Sequence, residues 1–355
     1  MNNHEPGFAD PAASYGDRRP INTDPREQPG FAFPAANLDP REQPRWQPMP
    51  APIMARPPRQ GRSPWAWMGV SVLILVIIFG GLASASVLLT HIITNSRTFT
   101  VGAQPTLRLS SNSGDIHIVS GPSQTISITA RQRVFWGDND PLPVHYQQTD
   151  ANTLTVTVDE RPTFSFLFSY NNGIDFDVTV PSQTSLEVHT DSGDITSTGV
   201  NGQIALTASS GDITTNGGSG QITLTTSSGD IEASNINGQM RLTTSSGDIT
   251  AANANARGNS TFQTSSGDIS FNGSLEPDGS YGFQASSGDI DLTLPNDAAF
   301  QVQATTDSGD ISSDFSGVNV FPGSSGAVAN GSVGSAPYAR ITIQASSGDI
   351  YLHKA

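Results

Sequence analysis

Gly220-Gln-Ile-Thr-Leu-Thr-Thr-Ser-Ser-Gly-Asp-Ile-Glu-Ala-Ser-Asn-Ile-Asn237 alternates apolar side chains with threonine around a turn made of serine, glycine and aspartate. Threonine and isoleucine favour the pleated backbone, and the alternation puts Ile222 and Leu224 on one face. Gly229 supplies a backbone conformation that β-branched residues resist. The stretch therefore predicts strand, turn, strand. It holds only about four apolar side chains, too few for a core of its own, so such a unit is stable only when stacked on copies of itself.

The copies are present. Ser-Gly-Asp-Ile occurs nine times, with its aspartates at Asp115, Asp194, Asp212, Asp230, Asp248, Asp268, Asp289, Asp310 and Asp349. After a first gap of 79 residues the spacings are 18, 18, 18, 20, 21, 21 and 39, the last close to two periods with an insertion. Stacking in register makes columns such as Ile204, Ile222, Met240 and Ile213, Ile231, Ile249. We expect a mainly β fold, a parallel β-solenoid with coils of about 18–21 residues over 191–355. At about 4.8 Å per rung the regular part is a rod of roughly 40 Å. The turn pairs Gly193-Asp194, Gly211-Asp212, Gly229-Asp230, Gly247-Asp248, Gly267-Asp268, Gly288-Asp289, Gly309-Asp310 and Gly348-Asp349 are its structural motif. Residues 97–190 read as an irregular β-rich start of the same solenoid, with Phe135, Trp136 and the aromatic run 164–170 capping its open end. Residues 318–335, rich in Gly, Ser, Val and Asn, read as a loop excursion between two late coils.

The stretch Phe176-Asp-Val-Thr-Val-Pro-Ser-Gln-Thr-Ser-Leu-Glu-Val-His-Thr-Asp-Ser-Gly-Asp-Ile195, followed by the repeat series, resembles the bacterial putative-adhesin family of unknown function over about residues 100–355. The resemblance implies an extracytoplasmic β-solenoid, often behind a single membrane helix, with an adhesin role and sometimes a link to envelope-stress operons. The family has no established catalytic or binding residues, so none is carried over.

The N-terminal third has a different composition. Fourteen of the 24 prolines lie in the first 64 residues, where 8 basic side chains face 7 acidic ones. Asp24-Pro-Arg-Glu-Gln-Pro29 returns as Asp39-Pro-Arg-Glu-Gln-Pro44. Prolines this frequent remove donors, and little apolar surface offsets the ordering entropy, so residues 1–62 are expected to be a disordered tail that could dock a cytoplasmic partner as polyproline II. Residues 63–96 carry no formal charge, and their apolar heart runs from Trp65 to Ile93. That length predicts one transmembrane helix embedded in membrane lipid. Arg45, Arg56, Arg59 and Arg62 crowd its N-terminal flank against Arg97 on the other side, which puts the tail in the cytoplasm and the repeats outside the cell. Ala83-Ser84-Ala85 resembles a signal-peptide cleavage site, but the 60-residue lead-in and the continuing apolar run favour a retained anchor. Small residues at Gly80, Gly81, Ser84 and Ala85 have the spacing of close helix–helix contacts.

From Arg97 onward 9 basic side chains face 25 acidic ones, a net charge of −16 that excludes a nucleic-acid partner. The absence of cysteine excludes disulfides, thiolate metal sites and a cysteine nucleophile. Aspartates stacked about 4.8 Å apart repel by roughly 0.9 kcal/mol at water's dielectric and about 3.5 at an effective value near 20, so something must offset the row. Two offsets are open: hydrogen bonds from backbone N–H groups of the turns, or Ca²⁺ bridging Asp194, Asp212, Asp230 and Asp248. Against calcium, only one turn per coil carries a carboxylate, and the opposite turns, such as Asn216-Gly-Gly-Ser-Gly220, carry none.

The acids recur on every rung instead of clustering once. Arg241, Arg257 and Arg340 are isolated, and His117, His145, His189 and His353 have no partner discernible in sequence, so no enzyme or resident cofactor is expected. The expected function is that of a non-enzymatic, membrane-anchored surface protein whose polar ladders contact cell-wall or extracellular polysaccharide. The alternative is an envelope-stress sensor or accessory regulator signalling through the tail.

Overall fold

The computed structural model describes residues 90–122, 124–135, 144–159 and 173–355. The tail 1–62 and most of the segment expected to span the membrane lie outside the described residues, as do Trp136 and the aromatic run 164–170. Among the described residues there are 23 strands and no helix, hence none long and apolar enough to cross a membrane. The first are β1 (Thr90–Thr100), β2 (Thr106–Ser113), β3 (Ile116–Gly121), β4 (Thr125–Phe135), β5 (Val144–Gln148), β6 (Thr153–Val158), β7 (Ile174–Pro181), β8 (Ser185–Ser192) and β9 (Ile195–Thr198). Next come β10 (Ile204–Ser210), β11 (Ile213–Ser228), β12 (Ile231–Ser246), β13 (Ile249–Ala256), β14 (Asn259–Ser266), β15 (Ile269–Leu275), β16 (Ser280–Ser287) and β17 (Ile290–Leu294). The last are β18 (Phe300–Ser308), β19 (Ile311–Ser313), β20 (Val318–Pro322), β21 (Ala327–Val333), β22 (Ala339–Ser347) and β23 (Ile350–Lys354).

The strands stack as a solenoid-like array. Each rung has one strand before its Gly-Asp turn and one after, and equivalent strands pair in parallel from rung to rung. The first stack, before the turns, runs β6, β2, β8, β10, β11, β12, β14, β16, β22, β18. The second, after the turns, runs β7, β3, β9, β11, β12, β13, β15, β17, β23, β19. Both β11 and β12 are long enough to take part in both stacks. The expected columns are in register: Ile204 pairs with Ile222 and Ile222 with Met240, while Ile213, Ile231 and Ile249 are aligned. Period-2 alternation buries every second side chain, and the buried ones form one core.

Rungs do not follow chain order at either end. The β2–β3 rung, carrying Asp115, lies between the β6–β7 rung and the β8–β9 rung. The C-terminal β22–β23 rung is inserted between β16–β17 and β18–β19. This accounts for the spacings of 79 and 39, which sequence reading took as a lead-in and as two successive periods. The expected loop at 318–335 is instead built around an antiparallel hairpin, β20–β21, that extends the first stack beyond β18. At the other end β5 adds antiparallel to β6, while β4 and then β1 add antiparallel beyond β7.

Strand β1 also corrects the expected extent of the membrane segment. Ile92 and Ile93 lie in a strand paired with β4 over eleven positions, so the apolar run was extended too far at its C-terminal end. Its residues Thr90-His-Ile-Ile-Thr-Asn-Ser-Arg-Thr-Phe-Thr100 are rich in β-branched side chains, a signal that a length-based reading of apolar character does not weigh.

Longer coils carry larger core residues. The column Leu224, Leu242 continues as Phe262 and Phe283, and the facing column Ala233, Ala251 continues as Phe271. Phe262 and Phe283 stack with centroids 4.7 Å apart, and Phe271 meets both edge-on at 5.5 and 5.7 Å. Tyr281 is buried beside them, its hydroxyl shared between the carbonyls of Ala256 at 3.0 Å and Glu276 at 2.8 Å. Burial, reinforced by the charge of Glu276, pushes its pKa up to about 12.

Two outcomes follow from this packing. A chain ending at Gly334 loses an interior rung, and its thermal midpoint is expected to fall by more than about 10 °C with new protease sensitivity across residues 295–334. A fall of a degree or two would place that rung at the end of the stack. For Tyr281 the folded state favours the neutral phenol, so its contribution is complete below about pH 10 and is lost as pH rises towards about 12. Tyr281→Phe is expected to cost about 1–2 kcal/mol at neutral pH and to reduce the alkaline loss of stability, both read from denaturant unfolding.

Candidate functional site

Each Ser-Gly-Asp-Ile turn makes the same set of bonds. The glycine adopts a positive φ, +147° at Gly229, and a Cβ there would sit 2.2 Å from the carbonyl oxygen of Gly211. In this conformation the glycine carbonyl leaves the ladder and meets a threonine of the next rung: Thr226 Oγ1 donates to Gly211 O, and Thr244 Oγ1 to Gly229 O, both at 3.0 Å. The next aspartate's N–H is thereby left without a backbone acceptor, and the carboxylate of the previous rung takes that place. Asp230 N–H donates to Asp212 Oδ1 at 2.8 Å, flanked by Gly211 N–H to Ser228 O and Ile213 N–H to Asp230 O, each 2.9 Å.

The bond recurs without a break. Asp115 donates to Asp175, Asp194 to Asp115, Asp212 to Asp194, Asp248 to Asp230, Asp268 to Asp248, Asp289 to Asp268, Asp349 to Asp289 and Asp310 to Asp349, at 2.7–3.1 Å. The structure therefore brings all nine motif aspartates into one line, ordered by space and not by sequence. Asp175 begins that line and was missed, because Ile174 stands where the motif has glycine and Phe176 where it has isoleucine. A Gly-x-Asp followed by an aromatic residue, opening an alternating strand, was the available signal.

A hydrogen bond to a charged acceptor contributes about 1.5–3 kcal/mol, against about 0.9 kcal/mol of repulsion between neighbours about 4.8 Å apart in water-like surroundings. At these exposed turns the bond outweighs the repulsion, so calcium is not needed to hold the row. One oxygen of Asp194, Asp212, Asp230 and Asp248 is already engaged by the backbone, and among the described residues no group of three or more His, Asp or Glu side chains converges as a metal site would require.

Acids and bases elsewhere are dispersed over the surface as separate pairs. His145 meets Asp159 at 2.6 Å, His189 meets Asp191 at 3.2 Å, and His353 lies 3.2 Å from Asp314 and 3.9 Å from Asp291. The His353 ring and the Lys354 N–H hold the Asp314 carboxyl below its ordinary range. Arg108 pairs with Glu187 at 2.8 Å, Arg131 with Asp177, and Arg257 with Glu276 at 3.7 Å. Sequence reading left these partners unseen because they come from neighbouring rungs or strand ends.

The opposite turns carry an amide ladder, with Asn235 Nδ2 donating to Asn216 Oδ1 at 2.9 Å and Asn255 Nδ2 to Asn237 Oδ1 at 3.2 Å. On the outer face of the first stack Thr207, Thr225, Thr243, Gln263, Gln284 and Gln344 are aligned on successive rungs. Two shallow depressions interrupt that face, one of about 350 Å³ beside Arg108, Glu187 and His189, the other of about 530 Å³ beside Gln303, Asn330 and Arg340.

The chain belongs to the Toastrack DUF4097 family, whose model matches residues 105–353. Among solved structures it is similar to a "putative adhesin" from Bacteroides fragilis, at 14% identity over 73% of this chain and 96% of that one, with a TM-score of 0.43. It is also similar to a "putative lipid binding protein" from Parabacteroides distasonis, at 15% identity over 73% and 96%, with a TM-score of 0.41. A "putative cell adhesion protein" from Clostridium sporogenes matches at 11% identity over 74% and 100%, with a TM-score of 0.26. No curated protein matches the chain.

Asp230→Ala removes the acceptor of the Asp248 N–H and is expected to cost about 1–3 kcal/mol in denaturant unfolding. Asp230→Asn keeps an acceptor and is expected to cost less. Asp310 ends the line and accepts no such bond, so Asp310→Ala is expected to stay within about 0.5 kcal/mol of the parent. Equal losses at Asp230 and Asp310 would contradict the ladder.

Proposed function

We propose that this member of the Toastrack DUF4097 family is a non-enzymatic cell-surface protein that contacts polymers of the envelope or of the extracellular surroundings. A single membrane helix holds it, with the proline-rich tail in the cytoplasm and the stack outside. The observation that carries the reading is the in-register repetition of hydroxyl and amide side chains over successive rungs of the first stack. Equivalent groups at one spacing suit a ligand that is itself periodic, because many weak contacts made together give an avidity that no single one supplies.

Charge narrows the class of polymer. The net of −16 beyond Arg97 and the line of exposed carboxylates repel anionic chains and anionic membrane surfaces. An uncharged polysaccharide meets no such barrier. The dispersed His–Asp and Arg–carboxylate pairs support a non-enzymatic role, since acid–base chemistry needs a nucleophile, a base and its orienting group in mutual reach.

The test is co-sedimentation of the full-length chain with purified envelope polysaccharides. The expected result is retention that changes less than about threefold between 50 and 500 mM salt, as neutral hydrogen-bonding contacts dictate. Failure to retain any envelope polymer would overturn the reading and favour an envelope sensor, for which a tail deletion with intact surface display would abolish the cellular response.

A further inference from the structure

Among the described residues four large apolar side chains are exposed: Ile92, Val119, Phe321 and Val328. The last two lie side by side. Phe321 is 56% and Val328 42% exposed, and they are directly opposite each other in the β20–β21 pairing, so they share a face. Ala327 and Ala329 are buried on the other face of β21, which puts Phe321, Val328 and Asn330 on the outer surface.

From Phe321 one row runs across the strands through Val328, Thr305, Gln344, Gln284 and Gln263. The parallel row beside it holds Asn319, Asn330, Gln303, Thr342 and then Gly282, whose missing side chain leaves the surface lower. The depression of about 530 Å³ lies here, with Gln301, Gln303, Asn330, Arg340 and Thr342 in its lining.

We propose that the outer face of the first stack ends in a saccharide-binding track, in which Phe321 stacks on one sugar of an uncharged linear polysaccharide and Gln344, Gln284 and Gln263 hydrogen-bond the sugars that follow. The proposal rests on the polymer-contact reading and deepens it. An exposed aromatic ring presents a flat apolar face suited to the C–H-rich face of a pyranose. A glutamine amide offers two donors and an acceptor, matching the mixed character of vicinal hydroxyls. Rungs about 4.8 Å apart lie close to the rise per sugar of an extended pyranose chain, so successive glutamines meet successive sugars.

The same surface is poorly suited to other occupants. Pro322, in the edge strand β20, has no N–H to offer a strand added from a second copy. Two exposed apolar side chains do not form the apolar centre of a stable protein interface. Arg340 is the one charged side chain in the lining, where an anionic lipid surface needs a basic cluster.

The test is affinity electrophoresis of the full-length chain in gels containing hydroxyethylcellulose, galactomannan or dextran, alongside co-sedimentation with purified envelope polysaccharide. The expected result is retardation by at least one of these glycans, weakened about tenfold in Phe321→Ala and in Gln284→Ala/Gln344→Ala, and kept in Phe321→Trp. All three variants alter exposed side chains, and unchanged thermal midpoints check that they fold. Parental binding by Phe321→Ala with envelope polymer still retained overturns the track and leaves the polymer reading standing. Retention of neither the soluble glycans nor any envelope polymer overturns both.

Discussion

A parallel stack of strands can turn a corner only if the backbone groups at the corner find partners, and here an aspartate carboxylate stands in for a carbonyl that the turn has rotated away. The positive φ of each motif glycine directs its own oxygen towards a threonine hydroxyl where one is present, as at Thr226 and Thr244. The following N–H would then be unpaired, at a cost of about 1–3 kcal/mol per rung if shielded from water. One Oδ1 per rung restores the ladder. Glycine, serine and aspartate are therefore one device, and replacing any of them disturbs the neighbours' bonds as well as its own.

That device propagates only while another rung follows, so the ends require different solutions. At one end β4 and β1 run antiparallel beyond β7 and β5 runs antiparallel beside β6; at the other, the β20–β21 hairpin covers β18. Antiparallel strands need only short connections, whereas another parallel rung would need a full coil of chain. The same economy bears on the rung order. The C-terminal rung fills the space between two earlier ones, so the hairpin extends the first stack without another parallel coil.

The polymer reading follows from the same regularity. Where the core alternates in, the outer face alternates out, and a repeat selected for buried Ile, Leu and Phe also aligns Thr and Gln outside. The acidic turns line one edge and the amides of Asn216, Asn235, Asn237 and Asn255 another. Phe321 and Val328 stand apart from this pattern as apolar side chains at the end of a polar row.

The strand–turn–strand unit, the columns Ile204–Ile222–Met240 and Ile213–Ile231–Ile249, and the line of turn aspartates were all legible in the amino-acid sequence, because a period of 18 residues combined with a side-chain period of 2 leaves one register that buries the apolar set. Asp175, the β20–β21 hairpin, the strand character of Ile92 and Ile93, and the Phe321 row were not. Sequence by itself determined the repeat and what each coil needs from its neighbours, since those are local demands of alternation and turn chemistry. Only the tertiary structure decided which rung sits beside which, because parallel pairing depends on edges that are open in space, and an edge left by Asp289's rung can be taken by Asp349's as readily as by Asp310's.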